Sequence, residues 1–75
     1  MMAMPCVSPD GKPTTSGMAT LEAIKKGAST PKAISDATGQ PLFRVRSGLR
    51  ELVGAGFVEL YDGSYLLTPN GESVL

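Results

Sequence analysis

Seventy-five residues, 41% hydrophobic and 19% charged with a formal net charge of zero, make an ordinary globular composition and one domain near the lower limit for unassisted folding. The absence of histidine and the single cysteine, Cys6, exclude a Cys/His zinc site within one chain and both Ser-His-Asp and Cys-His catalysis. No apolar run approaches the roughly 20 residues that span a bilayer, so the expectation is a cytoplasmic protein with no membrane role.

The carboxylates Asp10, Glu22, Asp36, Glu51, Glu59, Asp62 and Glu72 are scattered, with no pair spaced for acid/base work. The glycines follow no phosphate-loop spacing. No catalytic residue, metal site or cofactor is therefore expected, and a binding module remains.

Residues 1–15 carry three prolines and a Pro-Asp-Gly turn signal but no periodicity. They lack the basic start and apolar stretch of a secretory signal. They predict a flexible tail ahead of a domain over residues 16–75, with Cys6 a free thiol without a role.

Ser16 is the expected N-cap of a first helix running to about Lys26, stopped by Gly27. Met18, Leu21 and Ile24 give it an apolar stripe, and Glu22 and Lys26 an i,i+4 ion pair. Thr30 then caps a second helix with Pro31 at its first position. Its apolar face is Ala33, Ile34 and Ala37, Lys32 pairs with Asp36, and Gly39 ends it. A third helix begins at once, with Gln40 near the cap and Pro41 in the first turn, and runs to about Ala55 before Gly56. Leu42, Val45, Leu49, Leu52 and Val53 share an arc about 100° wide, the expected core stripe. Gly48 inside this helix weakens it by roughly 1 kcal/mol relative to alanine, which close approach to another helix or a ligand would explain.

After Gly56 the period shortens. FVELY and SYLLT are β-forming runs separated by Asp62-Gly63, a strong hairpin signal. Thr68 and Pro69 then restart a short helix.

Helix, helix, short turn, helix and hairpin is the element order of a winged helix-turn-helix, a mostly helical α+β fold. The wording agrees: Ala37-Thr38-Gly39 closes the second helix, Val45, Leu49 and Leu52 space the third, and Gly56-Phe57-Val58 leads into the first strand. Residues 28–58, with YLLTPNGE after the second strand, resemble small bacterial and archaeal winged-helix transcription regulators of the MarR-like, PadR-like and ArsR-like kind. The resemblance covers residues 16–75. It implies that the third helix, residues 41–55, enters the major groove of double-stranded DNA, and that its exposed residues contact bases and phosphates.

Those exposed residues follow from helical geometry. At about 100° per residue, Arg46, Arg50, Phe43, Ser47, Glu51 and Arg44 follow in that order around the helix from Leu42. The first four form one continuous flank outside the core stripe, with Arg44 at its far edge. Arg46 and Arg50 repel each other by a few tenths of a kcal/mol, and Glu51 is better placed for Arg44. An anionic partner would offset the repulsion. The candidate DNA contacts are Gln40, Phe43, Arg44, Arg46, Ser47, Arg50 and Lys32. For any single arginine the bland alternative is a stem laid over apolar surface with its head in water.

Two features depart from a DNA-binding pattern. The hairpin tip carries Asp62 and no Lys or Arg, and the chain has no net positive charge. The alternative is a winged-helix protein–protein interaction module in a larger assembly, with Leu42 and Phe43 against a protein partner. The final helix is too short for a coiled pair, so a monomer or a weak homodimer through residues 69–75 and the first helix is expected.

Overall fold

A computed structural model describes residues 7–75, so Cys6 lies outside the described residues. It is an α+β structure, about half helical, with element order α1 (Thr15–Lys25), α2 (Pro31–Thr38), α3 (Leu42–Gly54), β1 (Val58–Tyr61), β2 (Ser64–Leu67) and α4 (Pro69–Ser73). No helix among the described residues is long and apolar enough to cross a membrane.

The first helix starts earlier than expected. Thr14, not Ser16, is its N-cap: the backbone is extended there, and its hydroxyl accepts from the Gly17 N–H at 3.3 Å. Ser16 instead lies in the first turn, where its carbonyl accepts the hydroxyl of the buried Thr20 at 3.1 Å. Ahead of the cap, Val7 and Pro13 form an antiparallel bridge, and Val7 packs against the core.

Both long helices close in the same way. Gly27, at φ +112°, donates to the Ile24 carbonyl while Ala28 donates to Ala23. Gly56, at φ +86°, donates to Val53 while Phe57 donates to Leu52. These paired bonds are the Schellman arrangement, which satisfies the orphan carbonyls and turns the chain sharply. The buried Phe57 and Leu52 are brought together at the second of these stops.

α2 begins as expected: the Thr30 hydroxyl accepts from Ala33 at 3.2 Å, and Pro31 follows. It stops at Gly39, which adopts the left-handed conformation at φ +76°. Ser35 donates to the Gln40 carbonyl at 2.5 Å and Thr38 to Ile34 at 2.8 Å, so side chains brace the turn into α3. Pro41 is the cap of α3 rather than part of its first turn, with an extended ψ of 148° and no side-chain cap bond. Its carbonyl accepts from Arg44 and Val45 instead.

The hairpin pairs Val58 with Leu67, Glu59 with Leu66, Leu60 with Tyr65 and Tyr61 with Ser64. Its turn, Asp62 at φ +52° and Gly63 at φ +79°, has the two positive φ values of a type I′ turn. The Tyr65 N–H donates to the Ser29 carbonyl at 2.8 Å, tying β2 to the loop between α1 and α2.

The core joins Leu21, Ala23 and Ile24 of α1, Ile34 of α2, Val45, Leu49 and Leu52 of α3, and Phe57 and Val58. The stripe expected on α3 is narrower than drawn: Leu42 and Val53 are 40% and 38% exposed. The buried sector is shifted toward Gly48, which is buried. α3 packs on α1, α2 and β1, and the two outer members of the expected arc fall beyond those neighbours. Ala37 is likewise exposed, leaving Ile34 as the buried residue of α2.

Candidate nucleic-acid interface

The displacement of the core stripe decides what α3 offers to solvent. At about 100° per residue, Leu42 and Val53 adjoin Arg46 and Arg50, so the arginines rise from an apolar border. Phe43, Arg46, Ser47 and Arg50 are all exposed, at spacings of three, four and seven from Phe43. That spacing normally marks a buried stripe. Here it makes a second stripe facing water, and Phe43 is 70% exposed.

Arg46 and Arg50 line one side of a shallow groove of about 310 Å³, with Val53 beside them. Pro31 at the start of α2 and Leu60 and Tyr65 on the hairpin complete it. The fold thus sets two cations between the first turn of α2 and the hairpin. Neither arginine has an ion-pair partner among the described residues; the pair present there is Lys32–Asp36, at 3.7 Å and highly exposed. A pair so exposed is worth little, leaving Lys32 able to exchange Asp36 for another anion. The expected Glu22–Lys26 pair does not form among the described residues.

Two expected contacts stand apart from this stripe. Arg44 lies roughly 120–160° around α3 from Arg50 and Arg46 and is half-buried, with a buried Nε lacking a hydrogen-bond partner. Gln40 is also half-buried, its buried Oε1 without a partner and its backbone held in the α2–α3 turn. The structure therefore groups Phe43, Arg46, Ser47 and Arg50 on one flank of α3, sets Arg44 well around the helix from both other arginines, and leaves Gln40 in the turn ahead of the helix.

Pro31, Leu60 and Tyr65 were missed as site residues. Part of the signal was present: a two-residue turn at Asp62-Gly63 makes Leu60 and Tyr65 cross-strand partners on one face of the hairpin. The hairpin tip adds no positive charge, since Asp62 occupies it and Glu59 is exposed on β1. Among the described residues no cluster of histidine, cysteine and carboxylates could hold a metal ion. Compared with known proteins, the chain matches no family, no curated protein and no solved structure.

Proposed function

We propose that this domain is a winged helix-turn-helix that binds double-stranded DNA sequence-specifically, as a transcription regulator acting without catalysis or metal. In this reading α3 lies in the major groove and the β1–β2 hairpin is the wing. The observation that carries it is the exposed stripe of Phe43, Arg46, Ser47 and Arg50 on one flank of α3, its two arginines without an acidic partner among the described residues. Placing two cations a turn apart costs a little stability in the free protein. A phosphate backbone recovers it, and arginine can in addition pair with guanine O6 and N7. Lys32, exposed at the start of α2 beside the groove residue Pro31 in sequence, is a further candidate phosphate contact.

One observation favours a second reading. Leu42 is partly exposed on α3, and Val53 and Leu60 are partly exposed in the groove that Arg46 and Arg50 line, which is mostly apolar. A protein partner with acidic and apolar side chains would cover such a surface, consistent with the zero net charge.

Fluorescence-anisotropy titration of mixed genomic duplex fragments at two salt concentrations separates the two. DNA binding predicts a logarithm of affinity that falls steeply and linearly with log salt. An absence of binding at low salt overturns the DNA reading and leaves the protein partner.

A further inference from the structure

We propose that Phe43 is a specificity residue that recognises thymine, its ring resting on the C5 methyl group of a base in the major groove. This rests on the DNA-binding reading above and adds a base preference to it. Among the exposed large hydrophobic residues Phe43 is the most exposed, at 70%, well beyond Leu42 and Val53 on the same helix, whereas Val45, Leu49 and Leu52 of α3 are buried. Its direction from the helix axis lies within about 20° of Arg50 and about 60° of Arg46. Whatever the arginines approach, the ring approaches too.

The stripe from Phe43 to Arg50 spans seven residues of helix rise, about 10.5 Å. That is about three base-pair steps at roughly 3.4 Å each. A partner must therefore offer anionic groups and an apolar spot within this length. A phenyl ring has no hydrogen-bonding group, so it cannot read the donor and acceptor pattern of base edges. The apolar feature that the major groove presents is the thymine methyl. Wedging a ring between stacked bases is instead a device of minor-groove binders, and a helix seated in the major groove is poorly placed for it.

The test begins with duplexes enriched from a random-sequence pool by the full chain. The best-bound duplex is then remade with deoxyuridine replacing thymidine, one position at a time, which removes only the methyl. At one or two positions this should weaken binding about fourfold, the value of burying one methylene-sized group. Phe43→Ala should bind the thymidine and deoxyuridine duplexes alike, near the parent's affinity for the latter, and Phe43→Leu should retain part of the difference. Both variants should keep the parent's circular dichroism, because the ring is exposed.

Equal binding of the two duplexes by the parent overturns the proposal, as does an undiminished difference in Phe43→Ala. If that result comes while Arg46→Ala and Arg50→Ala still weaken binding, Phe43 alone has been misassigned and DNA binding stands. If no duplex is enriched or bound at low salt, both readings fall together.

Discussion

Gly71 lies so close beneath the carbonyl of Phe57 that a Cβ at this position would overlap the carbonyl oxygen and sit 3.1 Å from its carbon. That oxygen cannot easily give way. It accepts from the Thr68 N–H at 3.1 Å, while the Thr68 hydroxyl donates to the Gly56 carbonyl at 2.5 Å and accepts from Gly71 at 3.1 Å. The start of α4 is thereby fastened to the junction of α3 and β1, and the junction requires a residue without a side chain.

Gly71→Ala should therefore destabilise the domain by about 2 kcal/mol or more, as overpacking against fixed backbone does. Gly54→Ala is the matched control: this glycine lies in α3, with nothing within 4 Å of an added Cβ and no positive φ. It should gain about 0.5–1 kcal/mol from helix propensity and a less flexible unfolded chain. Urea denaturation of both variants measures the contrast, and two equal midpoints would mean that α4 does not dock as described.

At the hairpin tip Gly63 has φ +79° and Asp62 φ +52°. Gly63→Val should lower the melting temperature clearly more than Asp62→Asn, because a β-branched residue resists positive φ and asparagine tolerates it. Equal melting temperatures would place the turn elsewhere.

Deleting residues 1–15 should leave a cooperatively folding domain of reduced stability. The deletion removes the Thr14 cap, worth about 1 kcal/mol, together with the packing of Val7 on the core. Deleting residues 1–13 keeps the cap and should cost less. Thermal melts followed by circular dichroism compare the two, and a chain unfolded by the longer deletion would show that the segment before Ser16 is obligatory for folding.

Asp10 caps the small turn at residues 8–12. The Ser8 hydroxyl and then the Lys12 backbone N–H stabilise its carboxylate and hold it below the ordinary value of 3.8. A depressed pKa means that the charged form stabilises the folded turn. That contribution is present above the ordinary value and is lost as pH falls through the lowered one. Ser8→Ala should move the Asp10 titration upward toward 3.8 in a carboxyl-carbon NMR titration; an unmoved titration would show that Ser8 does not hold it.

Much of this architecture was legible residue by residue. Thr30-Pro31, Gly39, Gly56, Asp62-Gly63 and Thr68-Pro69 act through local backbone preferences, and each marks the start, stop or turn expected of it. The start of α1 was harder because Thr14, Thr15 and Ser16 are three consecutive residues able to cap, and the choice depends on where Val7 and Pro13 lead the chain. The width of the α3 core stripe was also beyond a helical projection. Leu42 and Val53 are as apolar as Leu49, and only the positions of α1, α2 and β1 decide which are covered. The flank with Phe43, Arg46 and Arg50 was visible in the spacing alone. The groove beside it was not, since Pro31 comes from α2 and Leu60 and Tyr65 from the hairpin.

Arg46 and Arg50 are both exposed, so replacing either by alanine should leave folding intact, and removing their mutual repulsion should raise stability by a few tenths of a kcal/mol. DNA affinity should nevertheless fall, in a way that identifies the lost contact. Loss of a phosphate contact lowers the slope of log affinity against log salt by about one unit, almost uniformly across DNA sequences. Loss of a contact to guanine instead costs about 1–3 kcal/mol at the preferred site and relaxes specificity there. Lys12, exposed in the turn ahead of α1, is the control, and Lys12→Ala should change neither quantity. Anisotropy titrations of the three variants over a series of salt concentrations distinguish these outcomes. If both arginine variants bind duplexes as the parent does, their stems serve only to cover Val53, Leu60 and Tyr65, and the groove belongs to a protein partner.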